Sequence, residues 1–221
     1  MRRRTVCAAL VLLALALAIP AVAQAFLATI TDPPDPGATP SCPGSTTVRC
    51  TVVSRTSAMQ VEVGTTHGPF AITTSGRIVG WQIALSSPTA NQVRFFDQHE
   101  GGSAEAALAI IRQTHGLDYR LDYVSPLVHL EPYFGRTATF ALPTSILVHA
   151  GDEVALSVPT WAPALELNAG RRSAWRASRP RGGCGDVTAQ TAQLELGRVS
   201  EYYCIYRTAL INFGAIEIST P

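Results

Sequence analysis

The stretch Leu147-Val148-His149-Ala150-Gly151-Asp152-Glu153-Val154-Ala155-Leu156 decides the fold class most clearly. Its central Ala150-Gly151-Asp152 is a turn signal, and apolar or β-branched residues lie on both sides of it. Such runs are typical of strands, because branched side chains pack well on a pleated surface. The stretch therefore predicts two strands joined by a turn.

Short β-branched and aromatic runs, separated by glycine or proline, recur along most of the chain. The predicted strands are Val48–Ser54, Ala58–Val63, Arg77–Ser86, Ala106–Arg112, Tyr119–Ser125, Thr137–Leu142, Glu153–Val158, Val187–Leu194 and Cys204–Ile218. Many short strands with glycine and proline turns are typical of antiparallel sandwiches. The prediction is an all-β sandwich, either jelly-roll-like or immunoglobulin-like.

Two segments are compatible with helix. Ser87-Pro88-Thr89 offers a capping residue followed by proline at the first helical position, and Gly101-Gly102 would end the helix. This predicts one short helix near residues 88–99. Ser103–Thr114 is alanine-rich and could also be helical, but its apolar residues alternate, which favours a strand.

The first 25 residues predict a signal peptide. A cationic start at 2–4 precedes an apolar run, Val6–Ile19, and small residues follow. A run of about fourteen apolar residues is shorter than the roughly 20 that span a bilayer core. Cleavage after Ala23 or Ala25 is therefore expected, and the exported chain would be secreted or associated with the cell envelope without a membrane span.

The next segment, residues 26–41, contains Asp32-Pro33-Pro34-Asp35-Pro36-Gly37. Proline at this density is incompatible with a helix or a central strand. The sequence therefore predicts a proline-rich flexible segment, followed by a single β-sandwich domain over 42–221.

Cysteine parity supports export. Cys7 lies in the predicted leader, so four of the five cysteines remain in the exported chain. An even number in an oxidising compartment is most simply two disulfides. Three pairings are conceivable, and sequence order favours Cys42–Cys50 and Cys184–Cys204. A zinc site would require closer cysteine pairs, so no metal is predicted here.

Three motifs resemble a group of uncharacterised exported β-sandwich proteins of high-GC Gram-positive bacteria. They are the 75–81 run Ser-Gly-Arg-Ile-Val-Gly-Trp, the 109–112 run Ala-Ile-Ile-Arg, and the 147–156 stretch quoted above. In that group the patterns G-x-I/V-x-x-W, V-L-R and V-x-x-G-D-x-V-x-L recur in one sandwich. The resemblance implies architecture and export, and it implies no catalytic residue.

Charge is distributed unevenly along the chain. Without Arg2, Arg3 and Arg4, fourteen of the seventeen basic residues remain against sixteen acidic ones, and every basic residue is arginine. Five of these arginines lie within residues 171–181, so the remainder carries nine against sixteen acids. General binding to polyanions is therefore not expected, whereas one local cationic segment is.

This segment and its tryptophans are the candidate ligand site. A guanidinium pairs with carboxylate or phosphate, and an indole offers a flat face to a sugar ring. The expected partner is a cell-wall polymer, an acidic glycan or a protein; specific nucleic-acid binding would need more aromatic residues. The alternative is that these side chains only pack and pair within the sandwich. The candidate residues are Trp161, Arg171, Arg172, Trp175, Arg176, Arg179 and Arg181.

Signals for catalysis are weak. The chain has no G-x-S-x-G elbow, which hydrolases use to expose a nucleophilic serine. Pairs of carboxylates for glycoside hydrolysis, or groups able to bind a metal such as calcium, would have to be assembled by the fold. The candidates are Glu131, Glu166, Glu195 and Glu201 for hydrolysis, and His129 with Glu131, or Asp97, His99 and Glu100, for a metal.

The favoured function is therefore an exported, non-catalytic binding protein with no catalytic residue, cofactor or metal. A secreted hydrolase of glycans or esters, and a purely structural envelope protein, are the alternatives.

Overall fold

The computed structural model describes residues 26–30, 42 and 50–219. The predicted signal peptide and residues 31–41 of the predicted flexible segment lie outside the described residues.

The described chain is built mainly from strands, with one α-helix and one 3₁₀ turn. The strands are β1 (Phe26–Ile30), β2 (Val53–Val63), β3 (Thr66–His67), β4 (Gly76–Ala84), β5 (Glu105–His115), β6 (Asp118–Val124), β7 (Val128–His129), β8 (Thr137–Val148), β9 (Asp152–Ala162), β10 (Leu165–Leu167), β11 (Ser173–Ala177), β12 (Val199–Glu201), β13 (Cys204–Arg207), β14 (Ala209–Ile211) and β15 (Phe213–Ser219). The helix α1 is Ala90–His99, and the 3₁₀ turn is Glu131–Tyr133.

Two antiparallel sheets form the sandwich. The small sheet has the order β1-β15-β4-β8, and the large sheet has the order β12-β6-β5-β9-β2-β11-β13. Eight strands form the framework: β1, β2, β4, β5, β6, β8, β9 and β15. Numbered 1 to 8 in chain order, they read 1-8-3-6 across the small sheet and 5-4-7-2 across the large sheet. In an immunoglobulin sandwich the first two strands share a sheet, whereas here they lie in different sheets. The predicted all-β sandwich is confirmed, and its strand order is that of a jelly roll.

The turn between β8 and β9 is stabilised by hydrogen bonds to one buried carboxylate. Gly151 has a φ of 90°, and the Asp152 side chain beside it is almost fully buried. The backbone N–H of His149 donates to Asp152 Oδ2 at 2.8 Å. Arg112, which lies opposite Asp152 in the register of β5 and β9, donates from Nε to Oδ1 at 2.7 Å. The turn predicted from the 147–156 stretch is therefore present, and it is tied to the neighbouring strand.

The centre of the large sheet is buried on both faces. Leu108 and Leu156 pack towards the small sheet in a cluster that includes Trp81. On the opposite face, here called the outer face, Met59 and Ile111 belong to a second cluster. Burial on both faces explains why the alanine-rich 103–114 segment is a strand, as predicted, because small side chains suit a central position between two neighbours.

The helix prediction is confirmed, with a shift of the cap. Thr89, not Ser87, caps α1: the Gln92 N–H donates to Thr89 Oγ1, and the Thr89 N–H donates to Gln92 Oε1. This reciprocal capping box satisfies two backbone donors, so Pro88 lies just before the helix.

Strand boundaries differ from prediction at β2. The two predicted strands Val48–Ser54 and Ala58–Val63 are, from Val53 onwards, one strand with an irregularity at Arg55. Arg55 has a φ of 49°, and the register with β9 shifts between Ser54 and Thr56. A local bulge thus replaces the predicted break.

The first residues of the predicted flexible segment form a strand. Phe26–Ile30 pairs with β15, from Phe26 opposite Ser219 to Ile30 opposite Ala215. An extended apolar segment gains backbone hydrogen bonds by pairing with this edge, and proline does not begin until Pro33.

The predicted strand Val187–Leu194 is wrong. Residues 185–203, here called the strap, cross the outer face of the large sheet and are mostly irregular. In the predicted stretch the Thr191 N–H donates to Arg55 O of β2, whereas several other backbone groups bond to side chains. Ser178 Oγ donates to Thr191 O, Ser157 Oγ donates to Gln193 O, and the Gln193 N–H donates to Ser57 Oγ. Serine hydroxyls in or beside the sheet therefore supply part of the backbone bonding that a strand ladder would supply.

Two disulfides brace the fold, and they are the pairs expected from sequence order. Cys42 is bonded to Cys50, and Cys184 is bonded to Cys204 with a Cα–Cα distance of 5.3 Å. The second disulfide closes the loop that contains the strap.

The Asp152 turn generates a prediction about stability. Replacing Asp152 with alanine leaves the His149 N–H without its acceptor and leaves Arg112 with only its longer contact to Asp122, so the free energy of unfolding should fall by about 2–4 kcal/mol. Urea denaturation measures this change. Glu195→Ala, which removes an exposed carboxylate from the strap, is the control and should have little effect. Equal losses in both variants would contradict the role given to Asp152.

Two contacting tyrosines, Tyr119 in β6 and Tyr202 in the strap, predict a loss of stability at alkaline pH. Burial, and then the Glu153 carboxylate, raise the pKa of Tyr119 from 10.0 to about 12. Burial also raises the pKa of Tyr202 well above its usual range. Since the unfolded chain releases these protons at lower pH than the folded chain, the free energy of unfolding should fall as the pH rises above about 10.

Tyr119→Phe tests this dependence. The variant should lose less stability than the wild type between pH 10 and pH 12, because it lacks one of the two phenol groups whose deprotonation favours the unfolded chain. Urea midpoints at unit pH intervals measure the slope, and nonreducing electrophoresis verifies that the disulfides stay intact. An unchanged slope would show that Tyr119 keeps no raised pKa in the folded state.

Candidate functional site

Trp161 is a core residue. Its side chain is fully buried, and its ring lies 5.0 Å from that of Phe96. The indole Nε1 donates to Asp97 Oδ1 and to Gly102 O, both at 3.0 Å. The predicted ligand-binding role needed an exposed indole, and this one instead joins α1 to β9.

Trp175 is also unavailable to a ligand. It lies in β11, between β2 and β13, and is 5% exposed. Its ring stacks on Tyr206, with centroids 4.4 Å apart. The middle of the segment interpreted as a cationic loop is thus a strand of the large sheet. Trp175 packs within the sandwich, as the alternative interpretation proposed.

Two of the five clustered arginines serve the fold. Arg179 is 3% exposed and donates to Tyr206 Oη at 2.7 Å and to Ser54 O at 2.9 Å. Arg176 is half-buried and donates from one nitrogen to the carbonyl oxygens of Tyr202 and Tyr203. Arg176 therefore fixes the end of the strap to β11, whereas Arg179 joins the segment after β11 to β2 and β13.

Arg171 and Arg172 are different, because both are exposed in the turn before β11. Among the described residues no hydrogen bond or ion pair engages either guanidinium. This turn is joined to the end of β13, since the Thr208 N–H donates to Ser173 O and the Ala169 N–H donates to Thr208 O.

Those backbone bonds place a third arginine beside the turn. Arg207, the residue before Thr208, has a side chain 63% exposed. Its Nη1 lies 3.9 Å from Oε2 of Glu62, a long contact that leaves most of the guanidinium facing solvent. We call Arg171, Arg172 and Arg207 the arginine tip.

The backbone of the tip is strained and fixed. Asn168 has a φ of 62°, Gly170 of 91° and Thr208 of 57°. A β-branched residue rarely adopts a positive φ, and such strain persists only where the surroundings determine the conformation. Both backbone groups of Thr208 are hydrogen-bonded across the tip, which satisfies that condition.

Arg181 lies beyond the opposite end of β11. Its guanidinium carbon is 4.9 Å from the centre of the Tyr203 ring, and its backbone N–H donates to Glu201 Oε2 at 2.9 Å. The structure therefore divides the sequence cluster into the tip at one end of β11, two structural arginines, and Arg181 at the other end.

The carboxylates considered for hydrolysis lie in four different segments of the chain. Glu131 begins the 3₁₀ turn, Glu166 lies in β10, Glu195 in the strap and Glu201 in β12. His129 Nδ1 lies 3.3 Å from Glu105 Oε1. Within 26–30, 42 and 50–219, no three His, Cys, Asp or Glu side chains lie close enough together to hold a metal ion.

Two further residues belong near the site although the sequence did not indicate them. Arg207 ends β13 and Tyr203 directly precedes it, and they meet the arginine segment only because β13 pairs with β11. The signal available in the sequence was the Tyr203-Cys204 neighbourhood, since the expected Cys184–Cys204 disulfide brings Tyr203 close to Arg181.

No helix in the described part of the chain is long and apolar enough to cross a membrane. No protein-family model, curated protein or solved structure matches the chain, so the site is interpreted from its own residues.

The strain at Thr208 generates a prediction. Thr208→Gly should raise the free energy of unfolding by about 0.5–1 kcal/mol, because glycine adopts a positive φ without steric cost. The same change in an extended strand, Thr139→Gly on exposed β8, is the matched control and should lower stability. Thermal and urea unfolding measure both. A loss of stability in Thr208→Gly as large as in the control would show that position 208 is not strained.

Proposed function

We propose that the protein is exported and acts as a non-catalytic binding module that holds an acidic polymer of the cell envelope at the arginine tip. The observation that carries this proposal is the state of Arg171 and Arg172, two exposed guanidiniums without an acidic partner among the described residues. The other arginines of the sequence cluster either bond to backbone carbonyls or lie at the far end of β11.

Export is supported by the leader and by the cysteines. The cationic and apolar pattern of residues 1–25 is typical of a signal peptide, and the two disulfides are compatible with an oxidising compartment. The resemblance to exported proteins of high-GC Gram-positive bacteria is consistent with the same location. Envelope polymers rich in carboxylate or phosphate are therefore the anions within reach.

The chemistry of the tip suits a polymer. Each guanidinium offers a planar pair of donors to carboxylate or phosphate. A backbone that is fixed before binding lowers the ordering cost, because only the arginine side chains lose freedom.

Binding to immobilised polymers tests the proposal. The purified protein should be retained on a polyuronate or a poly(glycerol phosphate) and not on neutral dextran, and added salt should weaken retention by screening the charges. Arg171→Ala/Arg172→Ala should weaken binding by about fivefold, since two exposed ion pairs contribute on the order of 1 kcal/mol in total.

The control removes the same charge elsewhere. Arg94→Ala/Arg198→Ala also deletes two exposed arginines, one on α1 and one on the strap, and should bind as the wild type does. Equal weakening in both double variants would indicate attraction by net charge, and the tip would then not be the site.

A further inference from the structure

We propose that Arg181 and Tyr203 form a second subsite, and that the ligand is an acidic glycan chain long enough to run along β13 from this subsite to the arginine tip. The inference rests on the proposed function, and it assigns the class of polymer. Such a subsite would favour a chain of acidic sugar rings over a polyanion without rings.

The Arg181 and Tyr203 side chains form a pair at the surface. Arg181 is exposed, Tyr203 is half-buried, and the guanidinium carbon lies 4.9 Å from the ring centre. Within the described part of the chain no ion pair engages the Arg181 guanidinium. The nearby Glu201 carboxylate accepts the backbone N–H of Arg181 and so positions the main chain.

The subsite is held rigidly by its neighbours. The Tyr203 N–H donates to Arg179 O at 3.1 Å, and Arg176 donates to Tyr203 O at 2.8 Å. Cys204, the next residue, is bonded to Cys184, three residues after Arg181. The two segments that carry the pair are thus joined covalently and by hydrogen bonds.

A path along the protein surface connects the two sites. β13 is the last strand of the large sheet, so no further strand of the described chain pairs with its outer edge. Tyr203 directly precedes β13, and Arg207 ends it. Four residues of extended strand span about 13 Å. Exposed Ile205 lies between them and offers an apolar contact.

The two kinds of side chain select for sugars that carry acid groups. The part of the Tyr203 ring that stays accessible beside the Arg181 guanidinium supplies an apolar surface for the C–H face of a sugar, and Arg181 pairs with the carboxylate of that sugar. A polymer without rings would use only the charges. Because the two subsites lie on one rigid edge, a chain that reaches both binds the second intramolecularly, which raises its affinity.

A length series tests this arrangement. Oligogalacturonates of increasing length are titrated against the purified protein by calorimetry. The wild type should gain at least about tenfold in affinity once the chain spans both subsites. Arg181→Gln and Tyr203→Leu should remove this gain and leave the affinity for the shortest oligomers unchanged. Poly(glycerol phosphate) fragments of matched charge should show a smaller gain.

The molecule provides a matched control in its other arginine–tyrosine pair. Arg136 lies 5.2 Å from the Tyr133 ring, in the segment before β8, and Arg136→Gln/Tyr133→Leu makes the same chemical change there. This variant should keep the wild-type length profile. Thermal unfolding of Tyr203→Leu identifies any loss of folding, and the exposed Arg181→Gln then carries the test alone.

The outcomes separate the two proposals. If the wild type binds no acidic polymer, or if Arg171→Ala/Arg172→Ala changes nothing, the proposed function fails. If binding depends on the tip but Arg181→Gln and Tyr203→Leu keep the wild-type length profile, the second subsite is overturned. If ring-free phosphate fragments gain as much with length as the oligogalacturonates, the assignment to glycans is overturned.

Discussion

The fold depends on covering the outer face of the large sheet, and Gln193 is the residue that makes this cover polar and specific. Its backbone and side chain take part in five hydrogen bonds, with Ser57, Ser157, Tyr119, Arg198 and Tyr202. A fully buried amide costs free energy unless its groups are paired, so this arrangement requires each partner to be present. Tyr202 connects the same network to the second hydrophobic cluster. The strap therefore covers the outer face of the large sheet specifically, although its backbone is mostly irregular.

The position of the strap determines which arginines remain free. Arg176 donates to the carbonyls that end the strap, and Arg179 reaches across to Ser54 and Tyr206. These two lie in and just after β11, where neighbouring strands present backbone acceptors. Arg171 and Arg172 precede the strand, beyond the reach of that network, so they keep their charge for solvent or a ligand. One run of arginines thus acquires two roles because a strand begins in its middle.

Local patterns predicted much of the framework and little of the site. The Gly151 turn, β5 and α1 follow from neighbouring residues, since alternation, turn residues and caps act over a few positions. Within the strap, Val187–Leu194 was predicted as a strand from its composition, yet its hydrogen-bond partners include serines that are remote in the sequence. Likewise, the burial of Trp175 depends on β13, about 30 residues later, and this pairing has no local signature. The disulfide pairs were predictable because short loops favour neighbouring cysteines.

The energetics of exposed arginines argue for a polymer as the natural ligand of such a surface. An exposed ion pair contributes at most about 1 kcal/mol, so three guanidiniums would hold a single small anion only at millimolar concentrations or above. A rigid backbone, fixed by the bonds of Thr208, reduces the ordering cost of binding. The affinity for a single small anion improves as a result, but its order of magnitude does not change. Repeating charges on one chain change the situation, because each further contact is made at a high effective concentration. A site of weak, separated cations on a disulfide-braced edge is therefore suited to retaining long anionic chains and poorly suited to binding their monomers.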